Sequence, residues 1–135
     1  MGFKTIDLVP LGAYGPTAQT PYGRDLKVKL AQVTRTDTAS PVKLVLPAHC
    51  SIVEIRLLTT VASDAGTTAT VTIAANGNTI INAANVKTTG TVTSTTIQLE
   101  DVPQSGDIKV TGNYVETGTA STTGGPFYFY VFYVE

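Results

Sequence analysis

The sequence predicts an all-β chain: an antiparallel β-sandwich of jelly-roll type, carrying an extended N-terminal arm. Three observations predict it. Between Val42 and Ile81 apolar and polar residues alternate in three successive runs, each closed by turn chemistry, which is the period of half-buried strands. From Phe127 to Val134 every position is apolar or aromatic, which for an antiparallel strand means burial on both faces. The commonest residue is Thr, whose branched β-carbon favours strands while its hydroxyl still faces water, in a chain with only 14% charged residues.

Residues 1–24 hold Pro10, Pro16, Pro21, Gly12, Gly15 and Gly23, a density that forbids a helix and discourages a long strand. The same stretch holds Phe3, Ile6, Leu8, Val9, Leu11, Tyr14 and Tyr22. An extended arm with apolar anchors every few residues needs a surface to lie on, either that of its own domain or that of a neighbouring subunit. The remaining residues, 25–135, are the right length for a single domain with a real core.

Within that domain Leu26, Val28 and Leu30 alternate with Lys27, Lys29 and Ala31 in a first strand that extends to about Arg35. Residues 36–41 are a loop by composition. Val42, Leu44 and Leu46 share one face of the next strand, which Pro47, Ala48, His49 and Cys50 interrupt. Val53, Ile55, Leu57, Thr59 and Val61 then point one way, and Glu54, Arg56 and Thr60 the other. After a turn at 63–66, Ala69, Val71, Ile73 and Ala75 share a face, and Asn76-Gly77 marks a type I′ hairpin because both residues tolerate positive φ. Thr79–Ile81 resumes a strand briefly, and 82–86 reads as a single helical turn or a loop. Val92–Leu99 is a Thr-rich strand; Ile108, Val110, Gly112 and Tyr114 share one face of another; residues 116–126 form a flexible loop of Gly, Ser and Thr. On the last strand we place Phe127, Phe129, Val131 and Tyr133 in the core, as the more apolar set, and Tyr128, Tyr130 and Phe132 at a contact surface where a phenolic hydroxyl stays wet. The opposite assignment, or coverage of the second face by the arm of the same chain, is the alternative.

Charge and composition narrow the function. A net charge of −1 gives no field that would gather nucleic acid or an anionic membrane surface, and Lys27, Lys29 and Arg35 read as a solvated face or a guarded edge. No run approaches the length of a membrane span, and no basic-then-apolar leader opens the chain. The single cysteine excludes an intrachain disulfide and predicts synthesis in a reducing cytoplasm.

Chemistry finds no foothold. Cys50 and the only histidine, His49, are adjacent, so on an extended chain their side chains point to opposite faces; both are read as turn and packing residues. Zinc would need two further soft or imidazole ligands, and the sparse carboxylates lack both a Trp-lined cleft and the dense spacing of a calcium loop. No glycine-rich phosphate loop follows a strand. No catalytic residue, cofactor or metal is expected, and the chain is not expected to be an enzyme.

The stretch LVLPAHCSIVEIRLLTTVASDAGTTATVTIAANGN, together with the aromatic last strand, resembles a unit of small capsid-associated proteins of tailed bacteriophages. In these a strand ends in Pro-Ala and a small residue, a Val-x-x-Val-x-Leu strand follows, and a Thr-rich strand closes in Asn-Gly. The likeness spans about Val42 to Glu135, and His49 stands where the pattern has glycine. The resemblance implies a cement or decoration protein, bound to the outside of an icosahedral head, often trimeric, with the major capsid protein as partner, and found in a virion assembled in the host cytoplasm. The contacts expected on that reading are Phe3, Ile6, Leu8, Leu11, Tyr14 and Tyr22 from the arm, and Tyr128, Tyr130 and Phe132 at the subunit interface. The alternative is a carbohydrate- or receptor-binding jelly-roll module of a head fibre or tail, with its site in the loops 36–41, 64–67 and 116–125. The absence of Trp and the scarcity of charge weigh against it.

Overall fold

A computed structural model describes residues 25–94 and 106–135. Eight strands run through them: β1 Leu26–Val33, β2 Val42–Leu46, β3 Ser51–Thr59, β4 Thr68–Ala75, β5 Asn78–Asn85, β6 Gly90–Thr93, β7 Ile108–Thr117 and β8 Phe127–Val134. They form two four-stranded sheets in the orders β1-β8-β3-β6 and β2-β7-β4-β5, and every pairing is antiparallel. Apart from the β4-β5 hairpin, neighbouring strands are distant in sequence and successive strands switch sheets, an interleaving of jelly-roll type. The expected arm, 1–24, and the second half of the expected Val92–Leu99 strand lie outside the described residues.

The core follows the period-two pattern where that pattern is uninterrupted. On β4, Ala69, Val71, Ile73 and Ala75 are buried; on β7, Ile108, Val110 and Tyr114 are; on β8, Phe127, Phe129, Val131 and Tyr133 are, so the predicted core face of the last strand is the observed one. Tyr114 of one sheet stacks on Phe127 of the other, with ring centroids 5.6 Å apart and planes 9° from parallel. The phenol of Tyr114 is satisfied at the same time, 2.7 Å from Ser63 Oγ and donating to Glu116 Oε1 at 2.8 Å, which allows a tyrosine to be buried here.

Bulges alter the pattern. Between Ile52 and Glu54 the register of β3 against β8 shifts. An extra residue reverses side-chain parity, so Ile52 is buried and Val53, expected on the core face, is exposed. Val61, past the end of β3, is exposed too. On β2 a shift between Val42 and Leu44 leaves Leu46 buried and Val42 outside.

The Asn76-Gly77 hairpin has positive φ at both residues, 47° and 84°, as its sequence predicts. Residues 82–85, read as a helical turn or loop, continue β5 instead. The strand keeps its pairing through register shifts and a positive φ at Ala83, whose N–H donates to Thr72 Oγ1 at 3.0 Å. His49 has φ +67°, the left-handed conformation that glycine adopts most readily, so a glycine-type turn is made here by another residue, with Cys50 buried beside it.

Candidate assembly surface

Residues directly opposite in an antiparallel pair point to the same face. On the outer side of the β1-β8-β3-β6 sheet, Leu26, Val28, Leu30 and Gln32 lie opposite Val134, Phe132, Tyr130 and Tyr128. Across β8, Glu54, Arg56 and Leu58 lie opposite Phe132, Tyr130 and Tyr128. Three strands thus present one continuous, largely apolar surface. Leu26, Val28 and Leu30 are 56%, 54% and 58% exposed, and Tyr128, Tyr130 and Phe132 are half-buried.

The charges on this surface neutralise each other. Arg56 pairs with Glu54, and its guanidinium carbon lies 5.2 Å from the centre of the Phe132 ring. Arg56, Leu58, Thr91, Tyr130 and Phe132 surround a shallow depression of about 250 Å³.

The lysines of β1 lie on the opposite side. Lys27 and Lys29 pair with Tyr133 and Val131, so they point toward the sandwich at its edge. Lys27 Nζ sits 2.6 Å from Glu135 Oε1 and Lys29 Nζ donates to the Val45 carbonyl at 3.1 Å. Inward-pointing charge is a recognised guard on an edge strand. The alternation of β1 therefore runs opposite to the usual sense, with its leucines outside. Sequence reasoning placed Tyr128, Tyr130 and Phe132 on a contact surface and missed Leu26, Val28, Leu30 and Arg56, which join them only through the β1-β8-β3 register.

The expected loop site is organised differently. Loop 118–126 is held by three polar side chains rather than left flexible. Arg35 donates to the carbonyls of Ser121, Thr122 and Gly124. Asp64 accepts the N–H groups of Thr122 and Thr123 at 2.7 and 2.9 Å and the hydroxyl of Thr122, and these bonds hold its carboxyl far below the usual range. Glu116 accepts from Ser121 Oγ at 2.6 Å and from Tyr114, which lowers its pKa in the same way. A cleft of about 350 Å³ lies among Thr34, Arg35, Glu116, Ser121 and Pro126, but its charged groups are engaged with the loop backbone, and its lining has no aromatic ring on which a sugar could stack. The arm residues Phe3, Ile6, Leu8, Leu11, Tyr14 and Tyr22 lie outside the described residues. Among the described residues no group of three or more His, Cys, Asp or Glu is placed to hold a metal ion.

No protein-family model and no curated protein sequence matches the chain. Solved structures do. The fold is one found in phage capsids. A chain of the capsid of Ralstonia phage GP4 superposes with a TM-score of 0.53 at 19% identity, covering 82% of this chain and 84% of that one. A chain of the acid-stable capsid structure of Helicobacter pylori bacteriophage KHP30 does so with a TM-score of 0.53 at 14% identity, covering 83% and 93%. At such identities the likeness is one of backbone arrangement.

Proposed function

We propose that this chain is a structural protein of a phage head that binds the outer surface of the capsid and stabilises it as a cement or decoration protein, acting as a trimer. The observation that carries the reading is the exposed apolar surface formed by Leu26, Val28, Leu30, Tyr130 and Phe132 on a jelly roll whose backbone recurs in two phage capsid structures. A patch of this kind on a small domain marks a protein contact. In this reading Tyr128, Tyr130 and Phe132 meet another subunit, and Phe3, Ile6, Leu8, Leu11, Tyr14 and Tyr22 anchor the arm on a neighbour. A protein that binds only the assembled shell stabilises it by mass action, without chemistry of its own. The carbohydrate-binding alternative has less support, because the polar groups of the loop cleft are already committed to loop 118–126.

The test is co-sedimentation of the full chain with purified heads of the phage that encodes it, stripped of the protein, followed by heating. Saturable binding at a fixed ratio to the major capsid protein, with heads that survive higher temperature, is the expected result. Heads that neither bind the chain nor gain stability would overturn the reading. Light scattering of the free protein should give about 42 kDa, three times the 14.1 kDa chain.

A further inference from the structure

The apolar outer surface of the β1-β8-β3-β6 sheet is small. Three strands at a spacing of about 4.8 Å, over the roughly seven residues from Leu26 to Gln32, give roughly 350 Å². A stable contact between two globular partners takes about 800 Å² from each. A flat footprint understates accessible area, yet a patch only three strands wide suits an extended segment, which needs a strip one or two strands wide, better than a second sandwich laid face to face.

The chain carries such a segment. Residues 3–11 read Phe-Lys-Thr-Ile-Asp-Leu-Val-Pro-Leu, five apolar positions in nine, with Ile6 and Leu8 at the two-residue spacing that puts both on one side of an extended chain. The residues before Asp25 join the domain at the rim of this same surface, since Leu26 is the first residue of β1 and the outermost residue of the patch. Asp25 N–H donates to the Glu135 carbonyl at 3.2 Å and Glu135 N–H to the Asp25 carbonyl at 3.1 Å. These two bonds continue the β1-β8 ladder to Asp25, so the chain enters the domain in the plane of the sheet at the end of the patch and not over it. The 13 residues between Leu11 and Asp25 can span up to about 45 Å when extended, well beyond the roughly 25 Å length of the strands.

We infer that the outer face of the β1-β8-β3-β6 sheet is the seat for residues 3–11 of a second copy of this chain, so that neighbouring copies are joined by exchanged arms. Ile6 and Leu8 occupy the strip between Leu26, Val28 and Leu30 on one side and Tyr130 and Phe132 on the other. Arg56 and Glu54, already paired, border the seat without placing an unmatched charge in it. The inference rests on the oligomeric part of the proposed function and is independent of the capsid.

Two full-length variants test it. One carries Val28→Glu and Leu30→Glu, at positions already more than half exposed, so that the sandwich is not disturbed. The other carries Ile6→Asp and Leu8→Asp. Circular dichroism and a melting curve show whether each is folded, and light scattering gives its mass. Each variant alone is expected to be a folded monomer, whereas an equimolar mixture, which supplies one intact arm and one intact seat, should form a two-chain species. Wild-type mass in the seat variant would overturn the inference. So would a mixture that stays monomeric, the result for an arm that folds over its own sheet or docks elsewhere. A wild-type chain that is itself monomeric would overturn it as well. Head binding by the wild type is measured separately, so loss of the capsid reading and loss of arm exchange are told apart.

Discussion

Arg56 and Phe132, on neighbouring strands β3 and β8, are joined by a guanidinium that stands 5.2 Å from the ring centre on the outer face of the sheet. The contact covers part of one face of an aromatic ring that nothing among the described residues fully covers. Replacing Arg56 with Ala should lower stability by about 0.5–1 kcal/mol, the usual worth of an exposed cation–π contact. It should also increase the binding of an apolar dye to the folded protein. Urea denaturation and dye fluorescence measure the two effects, and an unchanged dye signal would mean that Arg56 does not screen the surface.

Gly112 on β7 faces Val33 on β1 across the core. A β-carbon built at Gly112 runs into Val33 Cγ2 and comes within 3.3 Å of Lys43 Cγ. Val33 is fully buried, so it has little room to move aside. Gly112→Ala is expected to cost about 1–3 kcal/mol by overpacking. Combined with Val33→Ala it should cost less than the sum of the two single changes, because the new methyl fills the space the valine vacates. Additive losses in a double-mutant cycle would rule out the direct contact.

The buried phenol of Tyr114 bonds Ser63 and Glu116 while its ring stacks on Phe127. Tyr114→Phe keeps the ring and removes the hydroxyl, which leaves Ser63 short of a partner. A loss of about 1–2 kcal/mol is expected in chemical denaturation, with the near-ultraviolet signature of a folded core retained. A neutral result would show that water replaces the hydroxyl at this site.

Acid should release loop 118–126 before the sandwich unfolds. The Asp64 carboxyl is lowered from 3.8 chiefly by the Thr123 N–H and by Thr122, and that of Glu116 from 4.5 chiefly by Ser121 and then Tyr114. A carboxylate with a depressed pKa in the folded state binds fewer protons there than in the unfolded chain. Its stabilisation is therefore complete above the unfolded values, 3.8 and 4.5, and is lost as pH falls through the folded ones. Asp64→Asn should melt below the wild type at neutral pH, with the gap closing as pH drops below the ordinary Asp range. Hydrogen exchange at the Thr122 and Thr123 amides should quicken over the same interval. A gap that is constant with pH would mean that the carboxylate charge contributes nothing.

Much of this architecture can be read from residue order. The alternation on β4, β7 and β8 names their core faces correctly, because an uninterrupted strand fixes every side chain once one is fixed. Asn76-Gly77 specifies its turn, because both residues tolerate the left-handed conformation. The aromatic character of both faces of β8 also sets apart its second face, with Tyr128, Tyr130 and Phe132, which the sandwich leaves half-buried.

Three features required the tertiary structure. The bulge between Ile52 and Glu54 exchanges the roles of Ile52 and Val53, since one added residue reverses parity and no residue type marks the place. Loop 118–126, flexible by composition, is fixed by Arg35, Asp64 and Glu116, which lie far from it or outside its Gly-, Ser- and Thr-rich tip. The sequence by itself determined that this chain is a sandwich of half-buried strands with one over-apolar strand, because those properties reside in local period and composition. Only the packed structure decided that Leu26, Val28 and Leu30 face outward beside Phe132 and Tyr130. A strand's alternation separates its two faces, but which face is inside depends on the register with the strand next to it.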